Sequence, residues 1–268
     1  MLCKLGCHMA RNIPSVLVKP GRIIYYLSIV TDDDPEIIER IFDLLKSRNI
    51  DFSEGLLNYG EGYRRISLFI DISGSNATIK EITELIKKIV GVREIFYSEP
   101  LENHIAFADI EFPLTSINGE ERVFLILENW LSHIFLHVHK RFGTVGLVFL
   151  YESGRGIGLE LGKEYRKIFS SFDNAFNALL RLLKSLGFIN PIDFITLGNN
   201  VVVSFRGDLE AKVFCDQVNK NELCDNFVRG ILEGFMEGFF EIRYKTSQLT
   251  YYKDRDLLRI VLERIQYL

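Results

Sequence analysis

Cys3, Cys7 and His8 form a C-x3-C-H cluster, three side chains of the kind that ligate zinc. No second CxxC or HxxxH follows nearby to complete four ligands, and the plainer reading is a frayed terminus. His133 and His137 stand four apart, so on a helix both could reach one metal. No carboxylate lies between them as H-E-x-x-H requires, which excludes a zinc protease and leaves solvated or core-edge histidines as the alternative. Gly154, Gly156 and Gly158 surround Arg155, a combination that could cradle phosphate. Their spacing is not G-x-G-x-x-G, and no Walker Lys–Ser/Thr pair follows, so a nucleotide is not expected. These glycines are expected to permit a turn into the next helix, with Arg155 pairing an acidic partner or a ligand carboxylate. There is no G-x-S-x-G and no Cys/His pair that spacing can identify. The chain is therefore read as a non-enzyme with no catalytic residues, metal or cofactor.

Gly230, Gly234 and Gly238 recur every four residues, with Phe227, Ile231, Phe235 and Phe239 beside them at the same interval. A glycine inside a helix costs about 0.8–1.0 kcal/mol relative to Ala, so three imply a compensating advantage. Two advantages fit: close packing against another helix, or one wall of an apolar ligand cavity.

The elements that must position these residues belong to a 268-residue chain that is 47% hydrophobic and 25% charged, the balance of a folded globular protein. That length suits one large domain or two small ones. A net charge of −4 argues against direct nucleic-acid binding. The run 123–139 is the most hydrophobic, but Glu128, Asn129 and three histidines mark it as a buried helix rather than a membrane span. Residues 1–10 hold no signal-peptide run, and four cysteines do not make a disulfide scaffold. A cytoplasmic protein is expected.

From Arg22 to Tyr97 the order reads βαββαβ. A β-rich run ends at Asp32-Asp33-Asp34-Pro35, where Asp caps and Pro starts a helix carrying Ile37, Ile38, Ile41, Leu44 and Leu45. Strands over 51–59 and 63–73 flank the hairpin signal Gly60-Glu61-Gly62. A second amphipathic helix over 79–90 and a strand over 92–98 close the unit, a ferredoxin-like α+β arrangement. An added strand is expected over 103–114, then a polar linker at 113–120. The second half is expected to hold helices over 123–141, 172–186 and 226–240. Strands are expected over 192–197 and 200–205, a short helix or strand over 209–214, an extended segment over 241–252, and a helical tail over 254–267. The 21 phenylalanines are sparse in the first half and recur through the second.

On the strand ending before Asp32–Pro35, the helix after it, Asn49-Ile50-Asp51 and Val90-Gly91-Val92, the segment 22–97 resembles an ACT domain. The resemblance implies a regulatory module that pairs copies or binds an amino acid at the Asp32, Asp33, Asp34 loop. Amino-acid-binding members have Gly after the acidic–Pro turn, whereas this chain has Glu36, whose side chain would crowd a ligand. Pairing alone therefore stands beside amino-acid sensing.

The second half resembles the 4-vinyl reductase-like family, an α/β small-molecule-binding domain. The likeness rests on Leu150-Tyr151-Glu152-Ser153-Gly154-Arg155 with Gly158, on Leu182-Leu183-Lys184-Ser185-Leu186-Gly187, and on Leu223-Cys224-Asp225-Asn226-Phe227-Val228-Arg229-Gly230 with Gly234. It implies a sensor for hydrophobic or aromatic effectors; the fold also serves in vesicle-trafficking subunits. Many members bind a metal through the equivalent of Cys224, a Glu and two later cysteines. The segment 241–252 has no cysteine, so zinc is not expected here.

The chain thus reads as a tail (1–20), an ACT-like regulatory domain (21–114) and a 4-vinyl reductase-like ligand-binding domain (120–268). Tyr151, Arg155, Phe227, Gly230, Ile231, Gly234 and Phe235 are the candidate ligand-binding residues. The expected partners are a hydrophobic or aromatic small molecule, a second copy in a homodimer, and a separate transcriptional or enzymatic protein, without direct nucleic acid or membrane contact. The rival readings are a structural dimerisation subunit whose pocket its own Phe side chains fill and, third, an enzyme acting on an aromatic compound.

Overall fold

The computed structural model describes residues 15–110, 122–214 and 225–265. Cys3, Cys7, His8, Cys215, Cys224 and the linker at 113–120 lie outside them. The architecture is α+β, with two compact units, Met1–Phe124 and Leu125–Leu268.

In the first unit, β1 (Val16–Val18) is followed by β2 (Ile24–Asp32), α1 (Pro35–Ser47), β3 (Asp51–Gly60), β4 (Tyr63–Asp71), α2 (Ile79–Lys87), β5 (Val92–Ser98) and β6 (Ile105–Phe107). Four strands make an antiparallel sheet in the order β3-β4-β2-β5, the ferredoxin-like order. Asp34 caps α1 by accepting from the Glu36 amide (2.9 Å), and Pro35 opens the helix. Thr78 and Glu81 form a capping box at α2. Alternation along β2 and β4 sends Leu27, Ile29, Ile66, Leu68 and Ile70 to the face where Ile37, Ile41, Leu45, Ile82 and Ile86 of the helices meet them. Ile24, Tyr26 and Phe69 turn to the other face, where Ala106 and Leu17 of the β1–β6 ribbon cover them. The N-terminal tail therefore contributes a strand, and the strand expected over 103–114 is three residues long among the described ones.

The second unit runs α3 (Glu128–Phe142), α4 (Thr144–Ile168), α5 (Phe172–Ser185), β7 (Asn190–Leu197), β8 (Asn200–Arg206), α6 (Leu209–Phe214), α7 (Phe227–Phe240), β9 (Tyr244–Tyr252) and β10 (Leu257–Arg264). Its antiparallel sheet has the order β7-β8-β10-β9. Phe176, Leu179, Leu180 and Leu183 of α5 and Leu232, Phe235 and Met236 of α7 share one core with Val201, Val203 and Phe205 of β8 and Leu258, Ile260 and Leu262 of β10. No described helix is long and apolar enough to cross a membrane.

Two expectations are corrected here. The glycine-rich segment around 154–158 is not a turn but the middle of a 25-residue helix. The tail is not helical: Leu258, Ile260 and Leu262 alternate into the core while β8 and β9 pair with both edges of β10. Leu257, Leu258, Val261 and Ile265 fit a helical stripe equally well, and only the long-range pairing separates the two. The helix expected from 123 begins at Glu128.

Candidate functional site

The centre of the second unit is the contact between α4 and α7. Gly154, Gly158 and Gly162 on one helix and Gly230, Gly234 and Gly238 on the other recur every four residues, so each set forms one stripe. The stripes face each other. A Cβ on Gly158 would stand 2.0 Å from the Ile231 carbonyl oxygen, and one on Gly234 would stand 2.1 Å from that of Arg155. A Cβ on Gly230 would stand 2.3 Å from the carbonyl oxygen of Tyr151. Backbone lies directly on backbone, a contact open only to small residues at such a seam. Gly156 points away, with nothing within 4 Å of its would-be Cβ.

Polar side chains lock the same seam. The Tyr151 hydroxyl donates to Glu233 Oε2 (2.6 Å). Glu233 Oε1 accepts from Arg229 (3.2 Å) and from the amide and hydroxyl of Thr246 (3.0 and 2.7 Å). Glu233 is buried, and this set of donors meets both its oxygens. The Arg229 guanidinium lies 4.4 Å from the Tyr151 ring centroid, a cation–π contact. Burial and the hydrogen bond to Glu233 push the Tyr151 phenol well above its ordinary range. Arg155 Nη2 donates to Glu237 (2.5 Å), which strengthens its charged form.

The structure brings the seven candidate ligand-binding residues to this helix pair. Tyr151 and Arg155 bond to α7, Gly230 and Gly234 touch α4 backbone, and Ile231 and Phe235 are buried in the core. The Phe235 ring packs against Tyr165 (5.7 Å) and Phe176 (6.0 Å). Phe227, at the start of α7, lines a cavity of about 280 Å³. Its ring lies 5.9 Å from Phe135 of α3 and 6.0 Å from Phe188, which follows α5. Leu131 and Val228 complete much of the apolar wall.

The cavity's polar side was not legible in the sequence. Asp208 and Glu210 line it, and Asp225 is buried close by. Burial, together with the charges of Glu210 and Asp256, pushes the Asp208 carboxyl up to about 7, against the amide bond from Ala211 and the opposing charge of Lys212. Burial also raises Glu210 and carries Asp225 well above the ordinary carboxylate range. The available signal was modest: Asp208 precedes a short apolar run as an N-cap does, and its side chain accepts from the Ala211 amide (2.6 Å). Nothing in the local pattern announces its burial.

The Asp32–Asp34 loop is held by its own partners. Asp32 accepts from Arg93 (2.6 Å) and Asp33 from Arg64 (2.7 Å), while Asp34 caps α1. Glu36 points to solvent and pairs with Arg40 (3.4 Å). His133 Nδ1 bonds within its own helix to the Asn129 carbonyl (2.6 Å). Among the described residues no three His, Cys, Asp or Glu side chains are placed to hold a metal ion.

No family model matches the sequence, and no curated protein matches it. Among solved structures, the chain is similar to the phenol-responsive sensory domain of the transcription activator PoxR with phenol, at 13% identity and TM-score 0.45, covering 55% of this chain and 78% of that one. It is similar to a vinyl-4-reductase family protein from Methanocaldococcus jannaschii, at 15% identity and TM-score 0.35, covering 54% and 85%. It is also similar to the ACT domain of GTP pyrophosphokinase from Chlorobium tepidum, at 16% identity and TM-score 0.25, covering 29% and 99%. Each is a distant likeness of fold.

Proposed function

We propose that the chain is a cytoplasmic small-molecule sensor whose second unit takes a hydrophobic or aromatic ligand. One observation carries this reading: a cavity of about 280 Å³ in the second unit is walled in part by Phe135, Phe188 and Phe227. A mostly apolar hollow with a few convergent polar groups is the usual form of a ligand site. The seam residues Tyr151, Arg155, Gly230 and Gly234 hold α7 in place, and α7 presents Phe227 to the ligand. Ile231 and Phe235 support that helix from the core side. The ferredoxin-like unit pairs two copies, and a separate protein reads the ligand-dependent change in that pairing.

The second reading, a dimerisation subunit without a ligand, has its own support. Phe172, Phe176, Phe235, Phe239 and Phe240 contact one another in the core, so much of the aromatic surplus serves packing. A thermal-shift screen of the full chain against small aromatic, lipid and amino-acid panels separates the two. The sensor reading expects an aromatic compound to raise the melting temperature by several degrees, since a ligand at 100 times its Kd adds about 2.7 kcal/mol. A screen in which no compound shifts it overturns the sensor and leaves the subunit.

A further inference from the structure

α3 is a poorly covered helix. Of its 15 residues, all of them described, Phe135 alone is buried. A helix of this length draws most of its stability from packing an apolar face, so one buried ring leaves α3 short of partners. Its inner side lines the cavity through Leu131 and Phe135. On another side Leu127, Trp130, Ile134 and Arg141 follow helical spacing in one exposed stripe.

The corner at Gly143 leads into α4, whose first turns repeat that spacing. Val145, Val148, Phe149 and Glu152 are exposed there, on the side away from the glycine seam with α7. Trp130 is 59% exposed, Val145 72% and Phe149 63%. The six apolar side chains together leave about 700 Å² in water, whereas the largest apolar patch of a monomer is about 300–600 Å². Each partner in a standard interface contributes about 600–1,000 Å².

The charges at this surface are of both signs. Lys140 and Arg141 close α3 and have no ion-pair partner among the described residues. Glu152 meets only Arg155 (3.4 Å), which Glu237 already holds. We propose that the outer faces of α3 and α4 form a self-association surface, covered by a second copy of this chain across a two-fold axis. Such an axis lays each copy's cations and its carboxylate on the same patch of the other, so both signs are matched. An anionic lipid surface would instead select cations without the carboxylate. The surface is distinct from pairing through the ferredoxin-like unit, and it stands whether or not the cavity takes a ligand.

Trp130 is the chain's single tryptophan, so its fluorescence reports on this surface alone. The test is emission and acrylamide quenching of the full chain at about 1 and 100 μM, with sedimentation velocity on the same samples, because interfaces of this size hold at micromolar or tighter. At the higher concentration the chain is expected to sediment as a dimer, with Trp130 emission shifted to the blue and shielded from acrylamide. Ile134→Glu, one turn from Trp130, and Phe149→Glu, on the other helix, should each move the emission to the red and restore quenching. Both positions are exposed in the single chain, so circular dichroism should stay unchanged. A dimer held by the ferredoxin-like unit would survive both substitutions, which is why the Trp130 signal decides.

A monomer at about 100 μM overturns the proposal, as does an emission there that is already red and fully quenched. A blue emission that neither variant moves shows that the chain covers Trp130 itself, and overturns it too. A red emission turned blue only by vesicles of phosphatidylcholine and phosphatidylserine assigns the surface to lipid and overturns the second copy.

Discussion

The Cβ that Gly158 lacks would stand 2.0 Å from the carbonyl oxygen of Ile231, so α4 and α7 meet backbone to backbone at that point. Gly158→Ala is expected to destabilise the second unit by about 3 kcal/mol or more, because neither backbone can yield. Gly156→Ala, two residues away on the open face, should instead stabilise it by about 0.5–1 kcal/mol through helix propensity. Urea denaturation of both variants checks the pair. Equal effects would show that the seam is not what these glycines serve. Gly234→Leu is likewise a folding lesion, not a probe of ligand binding.

Tyr151→Phe removes one donor from the buried Glu233 and keeps the ring under Arg229. The expected cost is about 1–3 kcal/mol, the penalty for an acceptor left short of a partner. Its midpoint of chemical denaturation should fall while circular dichroism stays unchanged. An unchanged midpoint would show that Thr246 and Arg229 suffice for Glu233.

Stability should depend on pH through Asp208, whose carboxyl burial holds at about 7. The folded chain keeps a proton that the unfolded chain releases near pH ~4. Its stability therefore falls as pH rises from about 4 to 7, by up to about 1.4 kcal/mol per unit, and levels off above. Denaturation of the second unit at pH 5, 6, 7 and 8 measures the slope, and Asp208→Asn should lessen it, the remainder belonging to Glu210 and Asp225, which burial raises as well. A profile that rises over this range would contradict the burial of an unmet carboxylate.

Leu131→Trp places a larger side chain at the cavity wall and should remove binding of small aromatic compounds without lowering the melting temperature. Phe235→Ala should do the reverse of a clean binding lesion, costing about 3–5 kcal/mol of core packing. A Leu131→Trp chain that still binds 2-phenylethylamine or 2-phenylethanol would move the site elsewhere.

Asp34→Ala should cost about 1 kcal/mol, the value of a helix N-cap. Asp33→Ala breaks a partly exposed ion pair with Arg64 and should cost less than about 1 kcal/mol. Thermal unfolding of the first unit distinguishes them. If an amino acid stabilises the chain and Asp33→Ala abolishes that effect, the loop is a binding site as well as a structural turn.

The alternation of the first unit was legible because its signals are local: Asp34-Pro35 starts α1, Gly60-Glu61-Gly62 turns β3 into β4, and period-two apolar residues mark each strand. The four-residue glycine interval on α7 was legible as either close packing or a cavity wall, and nothing in it chose between them or named a partner. Only the tertiary structure showed that α4 carries the matching stripe, with Gly162 completing it, because a backbone contact depends on a partner found far along the chain. The same holds for β10, whose residues suit a helix until β8 and β9 supply both neighbours. It holds most for Asp208 and Asp225: sequence shows two ordinary carboxylates beside helix starts, and burial, a property of the assembled core, is what leaves their second oxygens unmet.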